Sequence, residues 1–228
     1  AVIATGGREY TPTEYLYGDH PNVLTHLDMD AAFREADDRI AKGRSFVFIQ
    51  CVGSRNEENP YCSKVCCTHS IKSAIALKKM DRRKRVFIIY RDIRSYGFRE
   101  DLYKEARELG VLFIRYDLEE MPKLKKNGAG GLELEAMDPV LQMAVKINPD
   151  LVVLASGVVP GDNKALFEKF KVPVNSDGFL VEAHAKLRPV DFSSDGLFVA
   201  GLAHYPKPVE ESIAQARAAV ARAMTILS

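Results

Sequence analysis

The chain has 228 residues, 46% of them hydrophobic and 28% charged, with no tryptophan. Its 32 basic and 31 acidic residues leave a net charge of +1, which gives no electrostatic reason for nucleic acid or an anionic membrane as a partner. No apolar run approaches the roughly 20 residues that span a bilayer, and the opening lacks a basic segment leading to a cleavage site, so the expectation is a cytoplasmic piece of a longer protein without direct membrane insertion.

In chain order, Ala1 to Gly7 reads as a short buried strand running into a glycine turn. Residues 8–27 read as a polar connector punctuated by Pro12, Gly18 and Pro21. Asp28 or Asp30 is the expected cap of a helix carrying Ala31, Phe33, Ile40 and Ala41. Ser45 to Gln50 is a continuous apolar strand that ends at Cys51, and helical periodicity follows over 63–80 through Val65, Ile71, Ala74, Ile75 and Leu77. The unit repeats: Arg85 to Tyr90 is a strand, 98–109 an amphipathic helix ending at Gly110, and Val111 to Arg115 a strand. Asn127 to Gly131 marks a hairpin tip, 149–155 another buried strand, and Gly196 to Ala200 a last one before an alanine-rich helix over Ile213 to Leu227. Strands alternating with helices predict an α/β fold: a Rossmann-like parallel sheet with an antiparallel hairpin layer.

All four cysteines, Cys51, Cys62, Cys66 and Cys67, sit in one short stretch with the spacing C-x10-C-x3-C-C. A disulfide framework would spread its cysteines to close long loops, so clustering points to a metal or redox site in a reducing compartment. The expected placement is Cys51 at a strand end, Cys62 capping the next helix, and Cys66 and Cys67 in its first turn. That is the phosphate position of a dinucleotide-binding βαβ unit, with thiols replacing the glycine fingerprint. Cys62 and Cys66 are then one helical turn apart on one face, with Cys67 about 100° around the axis. A [4Fe–4S] cluster on four thiolates is anionic, and the helix amino terminus offers roughly half a positive charge to offset it, with Arg55, Lys64 and Lys72 able to add to it. Three other readings stay open: a zinc site, although the paired C-x2-4-C knuckles are missing, vicinal core thiols, or a redox dithiol.

The runs Ile49-Gln-Cys-Val-Gly-Ser-Arg55 and Asn59-Pro-Tyr-Cys-Ser-Lys-Val-Cys-Cys67 resemble those of heterodisulfide reductase A subunits. So do Tyr90-Arg-Asp-Ile-Arg94 with Tyr96-Gly97, Asp177-Gly-Phe-Leu180, Ala183 to Val190, and Asp195 to Gly201. Related quinone-interacting oxidoreductase subunits share the pattern. The resemblance implies a thioredoxin-reductase-like flavoprotein that binds FAD and iron–sulfur clusters and passes electrons among the other subunits of a redox complex, such as heterodisulfide reductase B/C-like or hydrogenase-like ones. In some members the flavin splits an electron pair between two acceptors. Carried over by position, Cys51, Cys62, Cys66 and Cys67 become the ligands of one [4Fe–4S] cluster. Thr5 and Gly6 match the turn that closes the FAD domain. Ala200 and Gly201 match its returning strand, and Ser212 and Ile213 match a helix start aimed at the flavin ring.

Two departures limit the flavin reading. Leu202-Ala-His204 follows the strand glycine where the wider family has an acidic residue, and no G-x-G-x-x-G occurs in the sequence. The expectation is therefore weak or no FAD binding by this chain alone, although its parent binds it. Nicotinamide binding is not expected either: the cysteine block fills the phosphate turn, and Tyr90-Arg-Asp92 lacks the strand-ending acid that clasps a ribose.

The organisation expected is 1–29 as the end of the FAD domain plus connector, 30–155 as a second, cysteine-bearing domain, and 156–228 as the return to the FAD domain. His69 reads as a solvated helix residue, and His184 and His204 lie toward the expected flavin side. The basic run from Lys78 to Arg85 reads as a solvated helix end, and the charges from Asp101 to Glu108 as an exposed helix face. The preferred function is an electron-transfer module that turns over no substrate itself. A complete NAD(P)H-dependent FAD oxidoreductase and a non-redox zinc-binding or assembly domain remain as alternatives.

Overall fold

A computed structural model of the chain describes residues 1–227. Its elements are β1 (Val2–Ile3), β2 (Gly7–Glu9), β3 (Val23–Thr25), α1 (His26–Arg34), α2 (Asp38–Lys42), β4 (Ser45–Val52), α3 (Cys66–Met80), β5 (Arg85–Tyr90), α4 (Glu100–Glu108), β6 (Leu112–Arg115), β7 (Lys123–Lys126), β8 (Leu132–Asp138), β9 (Met143–Ile147), β10 (Leu151–Ser156), β11 (Val158–Pro160), α5 (Lys164–Phe170), β12 (Phe198–Val199) and α6 (Val209–Leu227). The chain divides into two units: residues 10–58 with 66–157, and residues 1–9 with 59–65 and 158–227.

The larger unit is built on a five-stranded parallel sheet in the order β3-β10-β4-β5-β6. Alternate residues of a strand face opposite sides, and here both sides are apolar. Phe46, Phe48, Val86, Ile88, Leu151 and Val153 pack against helices through Met29, Ile71 and Ala106. Val47, Ile49, Ile89, Val152 and Leu154 pack against Leu132, Leu134 and Ala136 of an antiparallel β7-β8-β9 sheet. Burial on both faces is why β4 and β10 read as unbroken apolar runs. The expected parallel sheet with an antiparallel hairpin layer is this unit, and Asn127 closes the hairpin by accepting from the N–H groups of Ala129 and Gly131.

Several local expectations give way to other physics. Thr25, not Asp28 or Asp30, caps α1. Asp28 is its N3 partner in a capping box, with its carboxylate accepting from Thr25 N–H at 2.9 Å. The helix does not continue to Ala41: Ala36 takes φ 51°, and Asp37 starts α2 afresh. Val23–Thr25, inside the expected polar connector, is a buried edge strand. The basic run is not uniformly solvated, because Lys78 and Lys84 are buried. Lys84 Nζ donates to the carbonyls of Ile40, Ala41 and Gly43 at the end of α2.

In the smaller unit β1 pairs in parallel with β12, Val2 opposite Phe198 and Ile3 opposite Val199, so the two ends of the chain meet. β2 and β11 form an antiparallel pair. Ile3, Phe167, Leu180, Phe192 and Val199 share one apolar cluster, and Arg222 of α6 grips the buried Asp191 carboxylate at 3.0 and 3.1 Å. Among the described residues no helix is long and apolar enough to cross a membrane.

Candidate functional site

β4 runs fully buried from Ser45 to Gln50 and delivers Cys51 at its carboxyl end. There the pairing with β10 becomes irregular before Val52, and Cys51 has φ 64°, Gly53 φ 65° and Arg55 φ 58°, three left-handed residues within five positions. Only the glycine adopts that conformation without a Cβ penalty. A Cβ on Gly53 would sit 2.0 Å from Tyr10 Cδ1, so the turn also depends on close backbone approach to that ring.

Arg55 follows the turn back. Its Nη1 and Nη2 donate to the Asp92 carboxylate at 2.6 and 3.1 Å, and Nη1 lies 3.8 Å from Cys51 Sγ. Burial works against the Arg55 charge, but the Asp92 bonds and the Cys51 sulfur outweigh it and raise its pKa. Arg91 Nη1 holds the Arg55 carbonyl at 2.8 Å. A cavity of about 240 Å3 opens here, lined by Cys51, Arg55, Arg91, Tyr15 and Tyr116.

α3 begins at Cys66, so Cys66 and Cys67 are its first two residues and both are buried. Cys67 Sγ approaches the Asp92 carbonyl at 3.9 Å. A buried polar clasp joins this helix to β4: Gln50 Nε2 donates to Ser70 Oγ at 2.6 Å, and His26 Nε2 meets the same oxygen at 2.8 Å. His69, expected to be solvated, stacks on His26 at 4.2 Å and pairs with Asp30 at 2.9 Å. The clasp residues carried no sequence signal of their own: Gln50 is a lone polar residue at the end of an apolar strand, while Ser70 and His26 lie in mixed polar stretches that read as exposed.

Cys62 is not a helix cap. It precedes α3 by four residues, in the loop 59–65 that belongs to the smaller unit, and the one-turn, one-face relation to Cys66 does not arise. The N–H of Lys64, itself at φ 61°, donates to Cys62 Sγ at 3.3 Å. Neighbouring residues anchor the loop: Tyr61 Oη donates to the Val158 carbonyl at 3.1 Å, and Ser63 Oγ accepts from Val158 N–H at 2.8 Å. Tyr61 also meets Phe179 and Tyr205 edge-on. Lys64 Nζ sits over Tyr205, and Lys72 is exposed on α3.

None of the four cysteines forms a disulfide. As a donor set they suit an iron–sulfur cluster, being all sulfur, with a guanidinium beside one thiol and a backbone N–H on another. Among the described residues, however, no three Cys, His, Asp or Glu side chains converge into a group able to hold a metal ion. The chemistry of the residues fits such a cluster.

In the smaller unit the expected flavin-side residues sit at neighbouring strand ends. Thr5 and Gly6 follow β1, and Ala200 and Gly201 follow its partner β12. Gly6 and Gly201 have φ 76° and 73°, and a Cβ on either would meet nothing within 4 Å, so both turns leave open space in front of the backbone. That fits a flat ligand approaching closely. α6 begins at Val209, earlier than expected, and the Ser212 N–H is already bonded to the Pro208 carbonyl at 3.0 Å, with Ile213 one residue further in. The first turn of α6 is therefore Val209 to Ser212, with Glu210 and Glu211 in it.

A network unannounced by the sequence surrounds this edge. His204 Nε2 pairs with Glu182 at 2.7 Å, Gln215 Nε2 meets His204 Nδ1 at 2.7 Å, and Lys207 Nζ donates to the Gly201 carbonyl at 2.8 Å. Burial and the nearby Lys64 lower the Lys207 pKa to about 8, and burial lowers that of His204. His184 lies apart, its Nδ1 accepting from the N–H groups of Lys186 and Leu187.

No family model matches the chain. It is 37% identical to the A subunit of the H(2):CoB-CoM heterodisulfide,ferredoxin reductase of Methanothermobacter thermautotrophicus, over 97% of this chain and 36% of that protein. It is likewise 37% identical to the iron–sulfur A subunit of the CoB–CoM heterodisulfide reductase of Methanocaldococcus jannaschii, over 96% of this chain and 36% of that protein. The chain thus spans about a third of the length of these curated relatives. Thioredoxin reductase from T. acidophilum superposes with a TM-score of 0.65 at 13% identity, covering 100% of this chain and 66% of that one, which shows a thioredoxin-reductase-like fold.

Proposed function

We propose that this chain, whose relatives over nearly its whole length are heterodisulfide reductase A subunits, is the electron-transfer portion of such an iron–sulfur flavoprotein. Cys51, Cys62, Cys66 and Cys67 hold one [4Fe–4S] cluster. The observation that carries this reading is the β4–α3 junction: three thiols at a strand end and a helix start, with Arg55 turned toward Cys51. A helix amino terminus and a guanidinium favour bound anionic sulfur, and Asp92 fixes the guanidinium in place. The naming of relatives as iron–sulfur subunits supports the metal assignment. When bound, the cluster supplies one-electron chemistry, and the chain's residues hold it and set its charge environment.

Residues Thr5, Gly6, Ala200, Gly201 and the first turn of α6 form the flavin-facing edge of the parent, which binds FAD. The open left-handed glycines support this assignment. Other subunits of a cytoplasmic redox complex exchange electrons with the parent. Reconstitution with iron and sulfide under anaerobic conditions tests the cluster. The expected result is about four irons and four sulfides per chain, lost in each cysteine-to-serine variant. Zinc in their place, or no metal, would leave the thiols a structural or assembly role.

A further inference from the structure

The end of β4 carries a distortion that the apolar packing of the sheet does not require. Ile49 lies opposite Leu154 of β10 and Val52 lies opposite Ser156, so two residues, Gln50 and Cys51, face the single residue Ala155. This is a β-bulge, a device that re-aims side chains at a strand end. Its second residue, Cys51, takes φ 64°, a left-handed conformation that every residue with a Cβ resists. Such a conformation persists only where the surroundings over-determine it.

The surroundings act through Gln50, which is held twice. Its side-chain Nε2 donates to Ser70 Oγ at 2.6 Å, and His26 Nε2 meets the same oxygen at 2.8 Å. Its carbonyl accepts from Tyr116 Oη at 3.1 Å. That carbonyl belongs to the planar peptide unit joining Gln50 to Cys51, so the tyrosine fixes the plane about which the Cys51 backbone turns. Tyr116 is anchored in turn, its N–H donating to the Tyr90 carbonyl at 2.9 Å. All four side chains are buried, so water does not compete for these bonds. Ser70 stands one helical turn beyond Cys66 on the same face of α3. The Gln50–Ser70 bond therefore ties the residue before the strand-end thiol to the turn after the helix-start thiol.

Packing alone does not account for Gln50. Among the described residues its Oε1 finds no hydrogen-bond partner, although the residue is 1% exposed. A buried oxygen left unpaired is destabilising, and an apolar side chain of the same length would avoid it. An apolar side chain could not hold the bulge to α3.

We propose that Gln50 is a positioning residue for the strand-end thiol. The Ser70–His26 clasp on its amide and Tyr116 on its carbonyl hold Cys51 in its left-handed conformation and set its place relative to Cys66. The inference rests on the reading of these thiols as cluster ligands and adds the residue that presents one of them. Metal ligands work when their supporting groups keep them in place, so a Cys51 free to relax into an ordinary strand conformation holds iron less well.

Anaerobic reconstitution of the 228-residue chain with iron and sulfide tests this in two variants. Gln50→Met keeps the length and removes the amide, and Tyr116→Phe removes only the hydroxyl. Both are expected to release iron to a chelator about tenfold or more faster than the unsubstituted chain, with an altered EPR spectrum of the reduced cluster. Gln50→Met is expected to keep its urea midpoint without metal, because the unpaired oxygen goes with the lost bond and Ser70 retains His26. Faster release with an altered spectrum at an unchanged midpoint, in either variant, supports the proposal. If the unsubstituted chain takes up no cluster, the ligand assignment falls and this inference falls with it. If that chain loads and both variants match its release rate and spectrum, the inference alone is overturned. It is also overturned if release quickens only where the metal-free midpoint drops, since folding and not thiol placement is then what was lost.

Discussion

Arg55 and Asp92 form a two-pronged ion pair, 2.6 and 3.1 Å, that ties the turn after β4 to the segment after β5. The Asp92 side chain is 47% exposed, so solvent screens the pair and only a modest energy follows from it. Arg55→Gln is expected to cost about 1 kcal/mol in urea unfolding, and a double-mutant cycle with Asp92→Asn should recover a coupling of roughly half that or more. Burial opposes ionisation of Asp92, yet Arg94 and Arg55 together hold its carboxyl below the usual range. The depressed carboxyl contributes stability above its unfolded pKa, about 3.9, which is lost as the pH falls through the lower folded value. The coupling should therefore fade below about pH 4, and a coupling that persists in acid would contradict the ion-pair account.

Lys84 is a buried cation with a structural task. It is 2% exposed, and its three donors reach the carbonyls of Ile40, Ala41 and Gly43 at 2.7, 3.1 and 2.6 Å. These are carbonyls around the end of α2, where no further turn satisfies them. Lys84→Met keeps an apolar side chain of similar length and strands the carbonyls, at an expected cost of about 3 kcal/mol. The readout is a lower urea midpoint at constant slope. A loss under about 0.5 kcal/mol would mean water replaces the amine there.

His26 makes stability depend on pH. Burial, with His69 stacked beside it, drives its pKa well below 6.5. The unfolded chain then takes up a proton that the folded chain refuses, so stability falls as the pH drops below about 6.5, by up to roughly 1.4 kcal/mol per pH unit. His26→Gln should flatten this slope between about pH 6.5 and 5. Equal slopes in the two proteins would place the acid sensitivity elsewhere.

The parts of the fold legible in the sequence were those where burial dictates composition. β4, β5 and β10 are sandwiched between helices and a second sheet, so Phe46 to Ile49 or Leu151 to Ala155 have only one reading. The break between α1 and α2 was hidden because Ala36 is a good helix former that nevertheless takes φ 51°. Lys84 sits in a run of cations that composition alone marks as surface, and only the facing carbonyls reveal otherwise. At the site, the clustering of the thiols was visible, as was the placement of Cys51 at a strand end and of Cys66 and Cys67 at a helix start. The conformation of the loop from Asn59 to Val65 was not, because Tyr61 and Ser63 bond to Val158, far away in sequence.

Gly53 offers the sharpest test of how the strand end is shaped. Its φ of 65° disfavours any side chain, and an added methyl carbon would lie 2.0 and 2.3 Å from Cδ1 and Cγ of Tyr10. The ring has little freedom to retreat. Tyr10 N–H donates to the Gly157 carbonyl at 2.8 Å, and its hydroxyl donates to Glu14 at 3.2 Å. Gly53→Ala should therefore cost about 2–4 kcal/mol, roughly 1 from the left-handed backbone and the rest from overlap with the ring. The two parts separate in a Tyr10→Ala background, where the overlap vanishes and only about 1 kcal/mol should remain. An unchanged penalty in that background would mean that backbone strain alone accounts for the glycine, and that Tyr10 does not shape the turn following Cys51.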